Sequence, residues 1–168
     1  MPTNLELKIK LKSFNKTKKL LDNIKAKFIK TLNQKDVYYK TKTGLLKLRI
    51  ENSNQSLIKY VRNEKGKDRF SDYFVLNISK GNSEKFFQDI FPIEVVVKKK
   101  RLLFMYDNTR IHLDAVKDLG NFLELETLVI NGKKDAKKRF NQIMKLLQLN
   151  EHEEIRNSYR DLILKSKK

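Results

Sequence analysis

The sequence predicts an α+β protein in which an antiparallel β-sheet closes into a barrel, with helices packed against its outside. Segments with a strand-like period of two outnumber the helical segments, and the polar positions of those strands are nearly all charged. The few helices cannot cover both faces of so many strands. In a closed or strongly curved sheet they need to cover only the outer face. At 168 residues the chain has the length of one domain, so we expect residues 1–168 to form a single unit.

The strand predictions depend on alternation between apolar and charged residues. Residues 4–12 alternate strictly, with Leu5, Leu7, Ile9 and Leu11 on one face and mostly charged residues on the other. Similar patterns predict the seven remaining strands at residues 35–40, 44–51, 56–62, 72–79, 94–106, 109–116 and 121–130.

Apolar residues at helical spacing predict four helices. The first three are expected at residues 17–30, 83–91 and 135–149. Asn150 and Glu153 resemble a capping box, which predicts that a last helix starts there and contains Ile155, Tyr159 and Ile163.

The composition restricts the classes of function. Lys and Arg total 38 against 20 Asp and Glu, a formal charge of +18 that favours nucleic acid, a membrane surface or a polyphosphate as partner, unless the lysines reflect compositional drift. There is no cysteine, which excludes thiolate metal sites, and two histidines leave carboxylates as the expected ligands of a hard ion. No apolar stretch approaches the roughly 20 residues of a membrane span, so we expect a cytoplasmic protein without membrane insertion.

Charged residues occupy the polar face of several predicted strands. Lys47 and Arg49 lie on one such face, and Glu124 and Glu126 on another. Lys99 and Arg101 share a face as well, although their neighbours Lys98 and Lys100 blur the pattern. These faces either point to solvent and form cross-strand ion pairs, or they converge inside a hydrated barrel. Periodicity alone does not choose between these alternatives.

A charged lumen would have the composition needed to bind a metal and a polyphosphate together. Carboxylates would hold the divalent ion, and Lys and Arg would neutralise phosphate oxygens. A strip that binds only nucleic acid would not need Glu6 and Asp114 among its cations. His112 has the same parity as Asp114. Three roles are open for it: it contacts phosphate, it positions Asp114, or it is a core histidine paired with the backbone.

Seven fragments, in order along the chain, resemble the CYTH superfamily of triphosphate tunnel metalloenzymes. They are Asn4-Leu5-Glu6-Leu7-Lys8, Gln34-Lys35-Asp36-Val37-Tyr38, Gly44-Leu45-Leu46-Lys47-Leu48-Arg49, Leu57-Ile58-Lys59-Tyr60-Val61-Arg62, Arg69-Phe70-Ser71-Asp72-Tyr73, Val97-Lys98-Lys99-Lys100-Arg101, and Arg110-Ile111-His112-Leu113-Asp114 followed by Leu119-Gly120-Asn121-Phe122-Leu123-Glu124-Leu125-Glu126. The resemblance implies an eight-stranded antiparallel tunnel with a triphosphate along a basic wall.

The resemblance also implies roles for particular residues. The family's metal-ligand roles fall on Glu6, Asp114, Glu124 and Glu126, with Mg²⁺ or Mn²⁺ as the ion. Its phosphate-binding roles fall on Lys8, Lys47, Arg49, Arg62, Lys99, Arg101 and Arg110. Two positions depart from the family pattern: Asn4 replaces a glutamate of E-x-E-x-K, and Leu45 replaces an arginine of the G-R-L-K-L-R stretch.

The His-Leu-Asp core of the Arg110–Asp114 stretch looks more like the class IV adenylate cyclases than the triphosphatases. The implied reaction converts ATP to 3′,5′-cyclic AMP and pyrophosphate, with Glu6 or Lys8 as candidates to assist the metal in catalysis. Hydrolysis of inorganic or thiamine triphosphate is the alternative enzyme activity, and a non-catalytic polyphosphate- or nucleotide-binding module is a further alternative. The implied partner is ATP or another triphosphate; a homodimer is compatible with this interpretation, and nucleic acid is not required.

Overall fold

The computed structural model describes residues 3–62, 69–79 and 81–167, with the side chain of Arg62 outside the description. Within these ranges it contains eight strands and four helices. They are β1 (Thr3–Leu11), α1 (Asn15–Asn23), β2 (Lys27–Tyr39), β3 (Leu45–Glu51), β4 (Asn54–Arg62), β5 (Phe70–Ile78), α2 (Ser83–Ile90), β6 (Ile93–Tyr106), β7 (Thr109–Val116), β8 (Gly120–Leu128), α3 (Lys133–Leu146) and α4 (Tyr159–Ser166).

The eight strands form a closed antiparallel barrel, as predicted. Their order around the barrel is β1-β5-β4-β3-β2-β6-β7-β8. Strand β1 closes it by pairing with β8 along most of its length and with β5 at its start. Since every strand has two neighbours, the barrel has no free sheet edge.

The apolar faces of most strands point outward, and helices cover them, although Val61 of β4 and Phe74 and Leu76 of β5 are exposed. Helices α1 and α3 place Leu21, Ile143 and Leu147 on a buried cluster that includes Ile9 and Leu125. Helix α2 covers a second cluster, where Phe87 and Phe91 lie on either side of Tyr39 with ring centroids 6.1 and 6.0 Å away. The other face of these strands, which carries residues such as Lys8, Arg49 and Glu126, therefore points into the lumen.

Helix α4 lies across one end of the barrel. Its Tyr159 and Ile163 pack with Val97 and Phe122, which have the same parity as the charged residues of β6 and β8. The ring of Tyr159 meets Phe122 edge-on at 5.1 Å. This helix therefore contributes Tyr159 to the wall of the lumen.

Two predicted helix boundaries are wrong. The helix expected at 17–30 ends at Asn23, because Lys25 has a φ of 56° and β2 begins at Lys27. The capping pair of the last helix is Ser158 and Asp161, so α4 starts after residue 158 rather than at residue 150.

The chain before α4 is held by strand β1 instead of by helical hydrogen bonds. Ile155 N donates to Lys8 O at 2.7 Å, and Lys8 Nζ donates to Asn157 O at 2.9 Å. Among the helices of the described residues, none is long and apolar enough to cross a membrane.

Candidate active site

The lumen contains a cavity of about 360 Å³ with polar walls. Nine of the site residues predicted from the sequence line it together: Glu6, Lys8, Lys47, Arg49, Lys99, Arg101, Arg110, Glu124 and Glu126. They come from β1, β3, β6, β7 and β8, and only closure of the barrel brings them together. The side chain of Arg62 lies outside the described residues, so its predicted role is untested.

The burial of its residues shows which face of β6 points into the lumen. Lys99 and Arg101 are buried and line the cavity, whereas Lys98 and Lys100 are exposed on the outer face. This is the orientation that places the predicted phosphate-binding residues of β6 inside the lumen.

One side of the lumen is built on a buried aspartate. Arg49 donates to both carboxylate oxygens of Asp36 at 2.8 Å, Lys47 Nζ donates to it at 2.9 Å, and Lys99 Nζ lies 4.0 Å away. We call these four residues the Asp36 cluster. Three cations surround a carboxylate that is only 1% exposed, so the cluster presents excess positive charge to the cavity.

The electrostatics of this cluster keep the aspartate ionised and lower the pKa of one lysine. Burial alone would raise the pKa of Asp36, but Arg49 and Lys47 hold it well below its usual range. Burial, reinforced by the charge of Arg49, lowers the pKa of Lys47 to about 7 despite the opposing effect of Asp36. Lys47 can therefore change protonation near neutral pH.

A second buried aspartate supports Arg101. Arg101 Nε and Nη2 each donate to one oxygen of Asp114 at 2.6 Å, and the Tyr159 hydroxyl donates to the same carboxylate at 3.0 Å. Asp114 is fully buried behind Arg101, Tyr159 and Lys99, three residues that line the cavity, and its role as a metal ligand stays a prediction. It fixes the direction in which Arg101 points.

The adjoining part of the lumen wall, on β7 and β8, carries a group that could hold a cation. His112 Nδ1 lies 3.7 Å from Glu126 Oε1 and 3.9 Å from Glu124 Oε2, and each of the three residues offers an atom within 4.8 Å of the others. We call them the His112 cluster. Strands β7 and β8 place them together, because His112 pairs directly with Glu124 and Arg110 pairs with Glu126.

The charge state of the His112 cluster favours a cation. Burial would raise the pKa of Glu126, but His112 and Arg110 lower it to about 2. Burial also opposes ionisation of Glu124, yet Lys8 and the neighbouring His112 hold its pKa well below the usual range. Burial lowers the pKa of His112, and the charge of Arg101 adds to this effect. The cluster thus combines two carboxylates with an uncharged imidazole at neutral pH.

The donor atoms of the cluster fit a divalent metal ion. The buried Nδ1 of His112 has no hydrogen-bond partner within the described part of the chain, and it faces two ionised carboxylates. Such an arrangement of electron-rich atoms is stabilised by a shared cation. Glu124 and Glu126 therefore lie beside His112 in a group that could hold a metal ion, and their role as ligands stays a prediction.

The two residues proposed to assist catalysis lie on β1. Glu6 accepts a hydrogen bond from the Ser71 hydroxyl and lies 3.7 Å from Arg69 Nε. Lys8 Nζ is 3.3 Å from Glu124 Oε1 and 4.2 Å from the centre of the Tyr159 ring. Of the two, Glu6 is the one suited to accept a proton.

The sequence analysis did not assign a role to Asp36 or to Tyr159, and it left the role of His112 open. Asp36 has lumen parity with Gln34 and Tyr38, which would have been enough to identify it. Tyr159 enters the lumen from a helix, so no strand pattern could reveal its contact with Asp114. The position of His112 beside Glu126 follows from the pairing register of β7 and β8, which the sequence does not specify.

The fold and the cavity together define a barrel whose lumen can hold a cation beside a polyanion. The family model of the CYTH domain matches residues 2–159. The chain therefore belongs to the CYTH domain family, whose tunnel-fold enzymes act on triphosphates and use divalent metal ions.

Individual relatives agree with this assignment at low identity. The chain is 27% identical over 169 residues to a protein of Methanocaldococcus jannaschii named "Putative adenylate cyclase", covering 94% of this chain and 97% of that one. The solved structure of the PH1012 protein from Pyrococcus horikoshii is similar with a TM-score of 0.79 at 24% identity, covering 95% of this chain and 98% of that one.

A third similarity concerns a plant protein. The solved structure of an adenylyl cyclase-like protein from Hippeastrum, described as having a dominant triphosphatase activity, gives a TM-score of 0.69 at 13% identity. The similarity covers 100% of this chain and 97% of that one, and it demonstrates the shared fold.

Proposed function

We propose that the protein is a metal-dependent adenylate cyclase that converts ATP to 3′,5′-cyclic AMP and pyrophosphate in the barrel lumen. The observation that carries the proposal is the presence, in one cavity, of a carboxylate-rich cluster beside a cluster of lysines and arginines. Negative groups alone would repel a triphosphate, and positive groups alone would not hold a metal. The two clusters together suit a metal triphosphate complex.

The basic side of the lumen binds the phosphates in this proposal. Lys47, Arg49 and Lys99 supply charge to the phosphate oxygens, and Asp36 holds the first two in place through hydrogen bonds. Arg101 is fixed by Asp114 at 2.6 Å and points to the same cavity. Asp114 is thus a positioning residue for Arg101.

The acidic side holds the metal, with Glu124 and Glu126 as ligands and Glu6 on the neighbouring strand. A bound Mg²⁺ or Mn²⁺ would withdraw charge from phosphate oxygens in the transition state. Lys8, between Glu124 and Tyr159, adds a fixed positive charge on this side of the lumen. Arg110 pairs with Glu126 at 2.9 Å and holds that carboxylate in the cavity.

The chemical step forms one P–O bond and breaks another. The ribose 3′-oxygen attacks the α-phosphorus, the bond from that phosphorus to the β-phosphate oxygen breaks, and pyrophosphate leaves. Glu6 accepts the proton of the 3′-hydroxyl. The cations of the Asp36 cluster stabilise the charge that accumulates on the pyrophosphate.

Triphosphate hydrolysis is the second candidate, favoured by the activity described for the Hippeastrum protein. In this reaction water attacks the terminal phosphorus, and the same cations stabilise the leaving group. No contact of the lumen residues distinguishes a nucleoside from any other substituent, so the reaction products must decide.

The deciding experiment is incubation of the full chain with ATP and either Mn²⁺ or Mg²⁺, followed by separation of products by anion exchange. Cyclic AMP and pyrophosphate in equal amounts support the cyclase. ADP and phosphate, or faster hydrolysis of inorganic or thiamine triphosphate, support the triphosphatase. Triphosphate binding that persists in chelator without any turnover contradicts both enzyme proposals.

A further inference from the structure

We propose that His112 is a nitrogen ligand of the metal and that it makes the site prefer Mn²⁺ to Mg²⁺. This inference rests on the metal-dependent function proposed above, and it adds a ligand type that the carboxylates of the lumen do not supply.

The first argument is the position of the imidazole. His112 is 3% exposed, and its Nδ1 has no hydrogen-bond partner among residues 3–62, 69–79 and 81–167. A buried polar atom without a partner costs about 1–3 kcal/mol. The same atom lies 3.7 Å from Glu126 Oε1 and 3.9 Å from Glu124 Oε2, too far for hydrogen bonds to either oxygen. The gap between His112 Nδ1 and Glu126 Oε1 suits an ion that both atoms contact.

The second argument is that the neighbouring cations leave one oxygen of Glu126 to the imidazole. Arg110 Nη2 pairs with Glu126 Oε2 at 2.9 Å, which leaves Glu126 Oε1 as the oxygen near the imidazole. Glu124 is different, because its Oε2, the oxygen 3.9 Å from His112 Nδ1, accepts from Arg101 Nη2 at 2.6 Å. The ligand atoms of Glu126 and His112 therefore face each other across the gap.

The third argument concerns the choice of ion. Mg²⁺ prefers oxygen ligands and retains several waters, whereas imidazole nitrogen binds the later divalent transition metals more strongly. Mn²⁺ accepts carboxylate and imidazole ligands together. Replacing one oxygen ligand by Nδ1 should therefore shift the preference of the site from Mg²⁺ towards Mn²⁺.

The chain offers a direct test because it has only two histidines, His112 and His152. His152 is exposed and remote in sequence from the cluster, so His152→Gln leaves His112 as the single histidine. The untagged His152→Gln chain is loaded with Mn²⁺ in the absence of nucleotide, and electron spin echo modulation is recorded with natural and with ¹⁵N-labelled histidine. We expect nitrogen modulation that changes from the ¹⁴N to the ¹⁵N pattern on labelling.

The selectivity is measured by titration calorimetry with Mn²⁺ and with Mg²⁺ on the natural chain and on His112→Gln. We expect His112→Gln to weaken Mn²⁺ binding about tenfold and Mg²⁺ binding less than about threefold. Bound Mn²⁺ without nitrogen modulation, equal losses for both ions, or no Mn²⁺ binding overturns the inference.

The outcome is separable from that of the proposed function. The labelling experiment needs no change at His112 and no turnover, so it holds even if His112→Gln fails to fold. Nitrogen-coupled Mn²⁺ in a chain that converts no triphosphate would contradict the proposed function alone. Cyclic AMP formation with oxygen-only Mn²⁺ coordination would contradict the role of His112 alone.

Discussion

The two charged clusters of the lumen differ in how completely their charges are compensated. In the Asp36 cluster, one buried carboxylate is shared by Arg49, Lys47 and Lys99, and both of its oxygens accept hydrogen bonds. In the His112 cluster, two carboxylates and an imidazole nitrogen face one another, and the nitrogen is unpaired within the described residues. The first cluster has cations to offer to a ligand, and the second has electron pairs to offer.

This difference shows how one barrel can hold ligands of opposite charge. A carboxylate that is saturated by cations, such as Asp36, serves to position them. Glu126 differs, because Arg110 pairs with its Oε2 while its Oε1 lies near His112 Nδ1 and can bind a metal. Burial makes both arrangements costly unless they are paired, and the two clusters lie on adjoining parts of the barrel wall. The predictions below perturb each cluster in turn.

The largest effect is expected for Glu126→Gln. The substitution keeps the size of the side chain and removes the charge nearest to His112, so we expect turnover to fall at least about a hundredfold while the fold survives. Steady-state kinetics and circular dichroism check this. Glu153→Gln on the exposed surface is the matched control, and turnover of Glu126→Gln within a factor of two of the natural chain would refute the site.

The Asp36 cluster is tested by Asp36→Asn. Loss of the carboxylate leaves Arg49 and Lys47 buried without their shared partner, so we expect the free energy of unfolding to fall by about 3–5 kcal/mol. Denaturant titration measures the loss. Asp72→Asn, a half-buried aspartate on β5, is the control. Unchanged stability of Asp36→Asn would show that the cations do not depend on the aspartate for their positions.

The protonation of Lys47 provides a smaller effect. Its pKa is about 7 in the folded chain, below the ordinary value of 10.5, so the unfolded chain binds more protons between these values. This group therefore makes stability rise with pH from about 7 to 10.5. A bound triphosphate favours the ammonium form, so we expect binding above pH 7 to take up a proton and to weaken as the pH rises.

Titration calorimetry in two buffers of different ionisation enthalpy measures that proton. Lys47→Arg is the control because its guanidinium stays charged throughout this pH range. Protonation of the triphosphate itself contributes equally to the proton uptake of both proteins. The difference in proton uptake between the two proteins is therefore due to Lys47. An identical proton uptake by the two proteins would show that Lys47 is already charged in the free lumen.

The barrel could be predicted from the sequence because apolar and charged residues alternate in several strands, such as β1, β3 and β8. Charged positions such as Lys47, Arg101 and Glu124 were predicted to share the lumen, and they do. Details that depend on the pairing register of the strands, or on a helix that enters the barrel, could not be predicted from the sequence. The bidentate contact between Arg101 and Asp114 is one, and the Tyr159 hydroxyl on the same aspartate is another. Asp114 was predicted from the family pattern as a metal ligand, but its immediate partner is an arginine.

The smallest effect is expected for Asn4→Glu, which restores the glutamate of the family pattern beside Glu6. Asn4 lines the cavity and is 3% exposed, and its Oδ1 accepts no hydrogen bond from the described part of the chain. An amide oxygen can ligate a metal but carries no charge, so a carboxylate there should hold the ion more tightly. We expect the metal concentration for half-maximal activity to fall several-fold.

Metal titration of both chains at fixed ATP, with ATP binding measured separately in chelator, checks this last prediction. Asn4→Gln is the matched control, because it lengthens the side chain without adding charge and should leave the metal dependence unchanged. The competing account is that Asn4 contacts the substrate, in which case the new carboxylate repels the triphosphate. Unchanged metal dependence together with weaker ATP binding in Asn4→Glu would establish that account, and would assign Asn4 to the polyanion rather than to the His112 cluster.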